Sequence, residues 1–376
     1  MTAAVLVLIL PDFGTPASMT ANDLLMKGVE QGIITEEQAR RLRELEAISE
    51  PLESPASPDD EQLRFLTGFS DIFVTIGLGL FLGATGYFAL QFGGKVGMWI
   101  AVAIAAWLLA EFFTRKRRMA LPSIVLLIVF AFSVFTGAGN LLGAGVIGPR
   151  PSLIGNLFGL DPGRPTVLAA AALITVLLTA VHYWRFRVPI TIAAGCAALT
   201  GAIFALIYGL VPELSVIANN TVIFVCGVAI FALAMRFDMT DPERLTRRTD
   251  IAFWLHLLAA PLIVHSLTLG ITGAGATKLG PASAVAIMVV FLVLSFVAVL
   301  IDRRAMLVSG LSYAGLAFWT LIRQAGLSDM TTPLTIFALG AFVLLLSAGW
   351  RPIRAVVLTT APSALVRRLP KASLSA

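Results

Sequence analysis

One apolar stretch carries two histidines, a proline and a tryptophan, and these are the residues of the sequence best placed to do chemistry. Asp250 to Thr272 reads D-I-A-F-W-L-H-L-L-A-A-P-L-I-V-H-S-L-T-L-G-I-T and holds two of the chain's three histidines, His256 and His265. Ionisable side chains within a membrane-spanning segment are costly to insert and often functional. At about 100° per residue, nine residues leave the two imidazoles on opposite sides of a helix, so they are not expected to share a metal. His256 lies among Ala252, Ala259 and Ala260. Small residues mark close helix contact, so it is expected to face a neighbouring helix and hydrogen-bond there. His265 continues a stripe of Asp250, Trp254, Leu258 and Pro261. Proline lacks an N–H and clashes one turn back, which frees the carbonyl of Leu257 and bends the helix. That carbonyl and an imidazole could together line a polar cavity. His256, Pro261, His265 and Trp254 therefore form the candidate intramembrane polar site. The competing reading is a structural kink with packed histidines.

The remaining polar groups point to structure. Glu111 stands one turn before Arg115, the spacing of a surface ion pair. His182, beside Tyr183 and Trp184, reads as part of an interfacial aromatic belt. Asn140, Asn219 and Asn220 read as interhelical hydrogen-bonding groups. Cys196 and Cys226 lie in apolar runs and read as small core residues, not as a disulfide. The chain contains no H-E-x-x-H, no Walker loop and no set of residues arranged as a hydrolase triad. No catalytic, cofactor-binding or metal-binding residues are expected.

The elements that must position the candidate site are membrane spans. The chain is 58% hydrophobic and 13% charged, against about 25% charged in soluble domains. Runs of about 20 apolar residues recur, each long enough to cross about 30 Å of hydrocarbon. Ten spans are expected near 71–92, 96–113, 121–146, 166–184, 188–210, 214–235, 251–272, 282–301, 305–322 and 332–350. The expected fold is thus all-α, a polytopic transmembrane helix bundle. Gly79 and Gly83, and Gly139 and Gly143, have the spacing that lets such helices approach closely.

Charge sets the orientation. Arg115, Lys116, Arg117 and Arg118 follow the second span, and Arg185 and Arg187 the fourth. Arg236, Arg244, Arg247 and Arg248 follow the sixth, and Arg303 and Arg304 the eighth. Arg351, Arg354, Arg367, Arg368 and Lys371 follow the tenth. The other side has only Lys95, Arg150, Arg164, Lys278 and Arg323. Lys and Arg are retained in the cytoplasm, so these basic turns and both termini are expected there. The net charge of +5 is then a feature of topology, and nucleic acid is not an expected partner. Restarts such as R-R-M-A-L-P-S at Arg117 and R-R-T-D-I-A-F at Arg247 recur, which reads either as hairpin duplication or as what the charge rule imposes on any hairpin.

Residues 1–18 read as an N-terminal extension, with Met19 an alternative start. No Lys or Arg precedes the short apolar run Val5–Leu10, so it is not read as a secretory signal. Residues 19–48 read as a helical hairpin. Gly32 falls just past its first helix, and Thr35-Glu36-Glu37-Gln38 has the pattern of a capping box. Residues 49–62, rich in Pro, Ser and acids, read as a disordered linker. The bundle is expected over 63–354 and a basic cytoplasmic tail over 355–376.

Two stretches carry a resemblance. G-I-I-T-E-E-Q-A-R-R-L from Gly32 to Leu42 resembles the short helical modules ahead of membrane segments in bacterial proteins of unknown function. D-E-Q-L-R-F-L-T-G-F-S-D-I-F-V-T-I-G from Asp60 to Gly77 is similar to the start of the membrane region in one such uncharacterised inner-membrane group. The resemblance implies a bacterial inner-membrane protein and supplies no site residues.

Many spans, glycine-rich packing and a histidine-bearing, proline-bent helix lead to a functional expectation. It is a transporter-like or permease-like protein that moves a small solute without ATP. The rival is a membrane sensor or scaffold whose head binds a cytoplasmic protein. A polar cavity reaching His265 would favour the first, and a dry bundle the second.

Overall fold

The computed structural model describes residues 25, 27, 29–49, 69–143, 164–211, 216–241, 244, 246–272 and 280–360. Among the described residues the regular structure is entirely helical. The chain divides into two compact units, Met1–Asp60 and Glu61–Ala376.

In the first unit, helix α1 spans Glu36–Ser49. The Thr35 N–H donates to Gln38 Oε1 at 2.8 Å, and the Gln38 N–H donates back to Thr35 Oγ1 at 3.2 Å. This reciprocal pair satisfies two donors that the helix start leaves free. Gly32, at φ 68°, turns the chain just before it. Ala39 is buried, whereas Ile33 and Leu42 are exposed.

The second unit is the bundle. Its helices are α2 (Phe69–Ala110), α3 (Ala120–Leu141), α4 (Pro165–Phe186), α5 (Ile190–Leu210) and α6 (Val216–Met239). They continue as α7 (Arg247–Thr272), α8 (Pro281–Ile301), α9 (Ala305–Gln324), α10 (Thr331–Ala348) and α11 (Trp350–Thr360). Nine helical stretches among the described residues are long and apolar enough to cross a membrane.

The first of those nine counts twice. α2 has 42 residues and breaks at Gly94, whose φ of 59° and ψ of −161° are not helical. A Cβ built on Gly86 would lie 3.2 Å from the side chain of Val102. Sixteen residues of straight helix would separate them by about 24 Å. The helix therefore doubles back, and Leu78 and Leu82 pack in one cluster with Val102, Ala106 and Ala110. The two arms of α2 thus correspond to the first two of the ten expected spans. α2 then passes into a π-helical turn, Glu111–Lys116.

Consecutive helices pack as hairpins, and α7 touches α5, α6, α8 and α9. The basic turns gather at one end. Ile124, Val188 and Trp254 meet in one apolar cluster there, and Tyr183, Phe237 and Ile251 in another. Among the described residues, four other than glycine adopt left-handed backbone, Arg118, Arg187, Arg244 and Asp302, with φ of 53°, 54°, 56° and 58°. All four belong to these turns.

Two expectations shift. A Cβ added to Gly79 or Gly83 would meet no neighbouring atom within 4 Å, so their spacing packs no helix here. The close approach is made by Gly227 of α6, where a Cβ would meet Ile263 and Leu262 of α7 at 2.9 and 3.0 Å. The tenth span ends at Ala348, and α11 follows as a separate helix, so residues 355–360 belong to folded structure and not to a tail. The expected extension 1–18, the linker 49–62 except for Ser49, the loop 144–163 and residues 361–376 lie outside the described residues.

Candidate functional site

α6 runs on to Met239, four residues past its expected end, and α7 begins at Arg247, four before. The α6 extension carries charge into the helical bundle. Asp238 of α6 is 2% exposed, His256 of α7 is fully buried, and Arg303, in the turn between α8 and α9, is 1% exposed. His256 Nε2 lies 2.8 Å from Asp238 Oδ2. The Arg303 guanidinium grips the same carboxylate with two nitrogens, Nε donating to Oδ2 at 3.1 Å and a terminal nitrogen donating to Oδ1. Two-pronged arginine–carboxylate pairing is the strong, geometrically specific form of this contact. Arg303 also donates to the Thr249 carbonyl at 3.4 Å. One acid thus joins α6, α7 and the α8–α9 turn.

A second cluster forms around the preceding residue. Asp302 caps α8, and Arg244 reaches its Oδ2 at 2.9 Å and donates to its backbone carbonyl at 2.9 Å. Arg354 of α11 stands 3.7 Å from Oδ2, and the Trp350 indole N–H donates to Oδ1 at 2.7 Å. Arg304 lies over the Trp350 ring, 5.0 Å from its centroid. Nearby, Asp241 Oδ2 accepts from the Thr246 N–H, the Thr246 hydroxyl and the Thr249 hydroxyl at 2.8, 2.6 and 2.9 Å. An acid here suits the positive end of the α7 dipole and occupies donors that the helix start leaves free.

The expected site residues separate. His256 belongs to the Asp238–Arg303 cluster, with the Phe231 ring edge-on at 5.3 Å. His265 is exposed on α7 and shares a 2.5 Å contact with the Tyr313 hydroxyl of α9. Pro261 is partly buried within a continuous α7, beside the Gly227 contact. Trp254 packs against the Leu127, Val188 and Ile190 cluster. The four residues therefore do not converge on one cavity.

Among the basic residues read as topology determinants, Arg115, Lys116, Arg117, Arg118, Arg247 and Arg248 are exposed, and Arg304 is half-buried. Arg244 and Arg303 are instead buried ion-pair partners. Glu111 pairs with Arg115 at 3.3 Å as its spacing predicts, but Arg185 of α4 grips it more closely, at 2.8 and 3.0 Å. His182 does not face outward as a belt residue would. It is 1% exposed and ringed by Trp107, Phe130 and Phe186. Its near neighbour in sequence, Trp184, is 77% exposed. Successive residues on a helix point about 100° apart, so a run of aromatic letters need not share a face.

The Asp238–His256 pair has the orienter–base part of a hydrolytic triad. The third member is missing, because His256 Nδ1 is buried and has no hydrogen-bond partner among the described residues. No three His, Cys, Asp or Glu converge as a metal set among the described residues either. What the clusters can do is hold helices together through charges that water or a proton can release. This defines a multi-pass α-helical membrane protein whose basic end is tied by buried acid–base clusters. No protein family, no curated protein and no solved structure matches the chain.

Proposed function

We propose that the chain is a bacterial inner-membrane permease-like protein that moves a small solute without ATP, and that the two clusters close its basic end. In this reading that end and both termini are cytoplasmic, supported by the concentration of Lys and Arg in its turns. One observation carries the proposal. Asp238, held by Arg303 and hydrogen-bonded to His256, and Asp302, held by Arg244 and Arg354, are both nearly fully buried, and each joins separate segments of the bundle. Buried ion pairs are weak stabilisers, because desolvation offsets most of the attraction. Apolar residues would hold the same helices as well. An ion pair has one property that a leucine lacks: it can part and be solvated. A gate needs that property.

Cysteine accessibility tests the proposal on a background lacking Cys196 and Cys226. Thr240→Cys, in the α6–α7 turn and exposed, is expected to react with a membrane-impermeant thiol reagent only from the cytoplasmic side. Val264→Cys, at a position 1% exposed, is expected to be protected in the otherwise unchanged protein. It should become reactive from that side when Asp238→Asn or Arg244→Gln weakens a cluster. Periplasmic labelling at position 240 would reverse the orientation. Continued protection of position 264 in both folded variants would end the gate reading.

The compact unit Met1–Asp60 favours a second reading, a membrane sensor or scaffold whose head binds a cytoplasmic protein. Deleting residues 1–47 is expected to leave the melting temperature of the detergent-solubilised bundle unchanged. A domain this small has little core of its own to contribute. A large drop in melting temperature would show that the head supports the bundle, and the separable-module reading would fail.

A further inference from the structure

A groove of about 470 Å³ runs between the second arm of α2, α3 and α4, away from the ion clusters. Its floor is buried, with Phe130, Ser133 and Val134, while Ile104, Leu108 and Leu141 form exposed walls. Apart from the Ser133 hydroxyl and the Trp107 indole, the lining is hydrocarbon. Toward the basic end it is stopped by packed rings, with Trp107 5.4 Å from Phe130 and 5.0 Å from Phe186. Along α3 it extends from Phe130 to Leu142, about 18 Å at 1.5 Å per residue. One leaflet of hydrocarbon is about 15 Å thick, so the groove has the length of one acyl chain. A polar solute would find almost nothing to bind there.

The open end carries a charge. Arg164, the residue before α4, donates to the Gly143 carbonyl at 2.9 Å. Gly143 immediately follows the lining residue Leu142. That bond fixes an exposed guanidinium where the headgroup of a lipid seated in the groove would lie.

We propose that this groove is a lipid site. It takes one acyl chain of an anionic glycerophospholipid from the leaflet opposite the basic turns, with the lipid phosphate on Arg164. The inference rests on membrane embedding alone and is independent of the gate.

The test uses the full chain in phosphatidylcholine vesicles with a small fraction of phosphatidylglycerol bearing a photoreactive acyl chain. Crosslinks are mapped by mass spectrometry. They are expected to concentrate on Ile104, Ala138 and Leu178 over exposed apolar residues elsewhere, such as Leu80 and Phe337. Ala138→Phe and, from the opposite wall, Ala103→Phe should each abolish that concentration while the melting temperature confirms a folded bundle. Arg164→Gln should reduce the preference for phosphatidylglycerol over phosphatidylcholine carrying the same probe about fivefold, the effect of roughly one interfacial charge. Even crosslinking over all lipid-facing helices would mean annular lipid only and overturn the site. So would groove crosslinking that survives both phenylalanine variants, which would place the probe outside the groove. Equal capture of both lipids, unmoved by Arg164→Gln, would overturn the anionic assignment.

Discussion

Asp238→Leu is expected to lower the unfolding free energy of the bundle by roughly 3–5 kcal/mol, the penalty for removing one partner of a buried ion pair. The loss comes less from the missing attraction than from what remains. Arg303, 1% exposed, keeps a positive charge with its carboxylate gone. His256 loses the acceptor at its Nε2. The triple replacement Asp238→Leu, His256→Leu, Arg303→Met is expected to recover most of the loss, because well-packed apolar groups commonly match a buried ionic cluster in stability. Denaturant or thermal unfolding in mild detergent would compare the two. A triple variant as unstable as the single one would show that shape, and not charge, holds this end together. Recovered stability with altered accessibility at position 264 would separate the stability of the cluster from its proposed gating.

Asp302→Ala is expected to be at least as damaging, for three reasons that can be pulled apart. It removes the acid between Arg244 and Arg354, removes the acceptor of the Trp350 indole, and puts alanine at φ 58°. The left-handed conformation alone costs an ordinary residue about 1–2 kcal/mol. Asn tolerates that conformation and can still accept from Trp350, so Asp302→Asn should lose mainly the charge contribution. Asp302→Gly relieves the backbone but keeps no acceptor. The expected order of melting temperature is Asn above Gly above Ala. Equal values for Asn and Ala would mean that neither the indole bond nor the backbone conformation contributes.

The spans are legible because a bilayer demands long apolar runs and spaces its charges, and both are local properties of the sequence. Even the turn at Gly94, inside one 42-residue helix, is marked by Gly93, Gly94 and Lys95. The clusters are not legible in the same way. Arg303 meets Asp238 across 65 positions, and Arg244 meets Asp302 across 58. In a linear reading each is one more cation in a basic turn. A signal is present all the same. Asp238, Asp241 and Asp302 stand among the arginines, although topology requires only the positive charges. His256 stands out because it lies within a span, but its partner sits 18 positions away, at the C-terminal end of the preceding one. His265 and Pro261 stand out equally, yet the fold sends them to different surroundings.

The left-handed backbone at the basic turns has a consequence for how such a protein changes over time. Glycine would occupy those positions without steric cost. Three of the four hold arginine instead, at φ of 53°, 54° and 56°. Glycine carries no charge, and a turn relaxed by it would give up part of the signal that orients the neighbouring spans. In the proposed orientation, ease of folding and direction of insertion meet on single residues at 118 and 187, while at 244 the ion pair with Asp302 is a further demand for arginine. In that orientation, glycine should be tolerated best where neighbouring cations, such as those beside Arg118, keep the charge of the turn high, and least at 244, where the pair with Asp302 would also be lost.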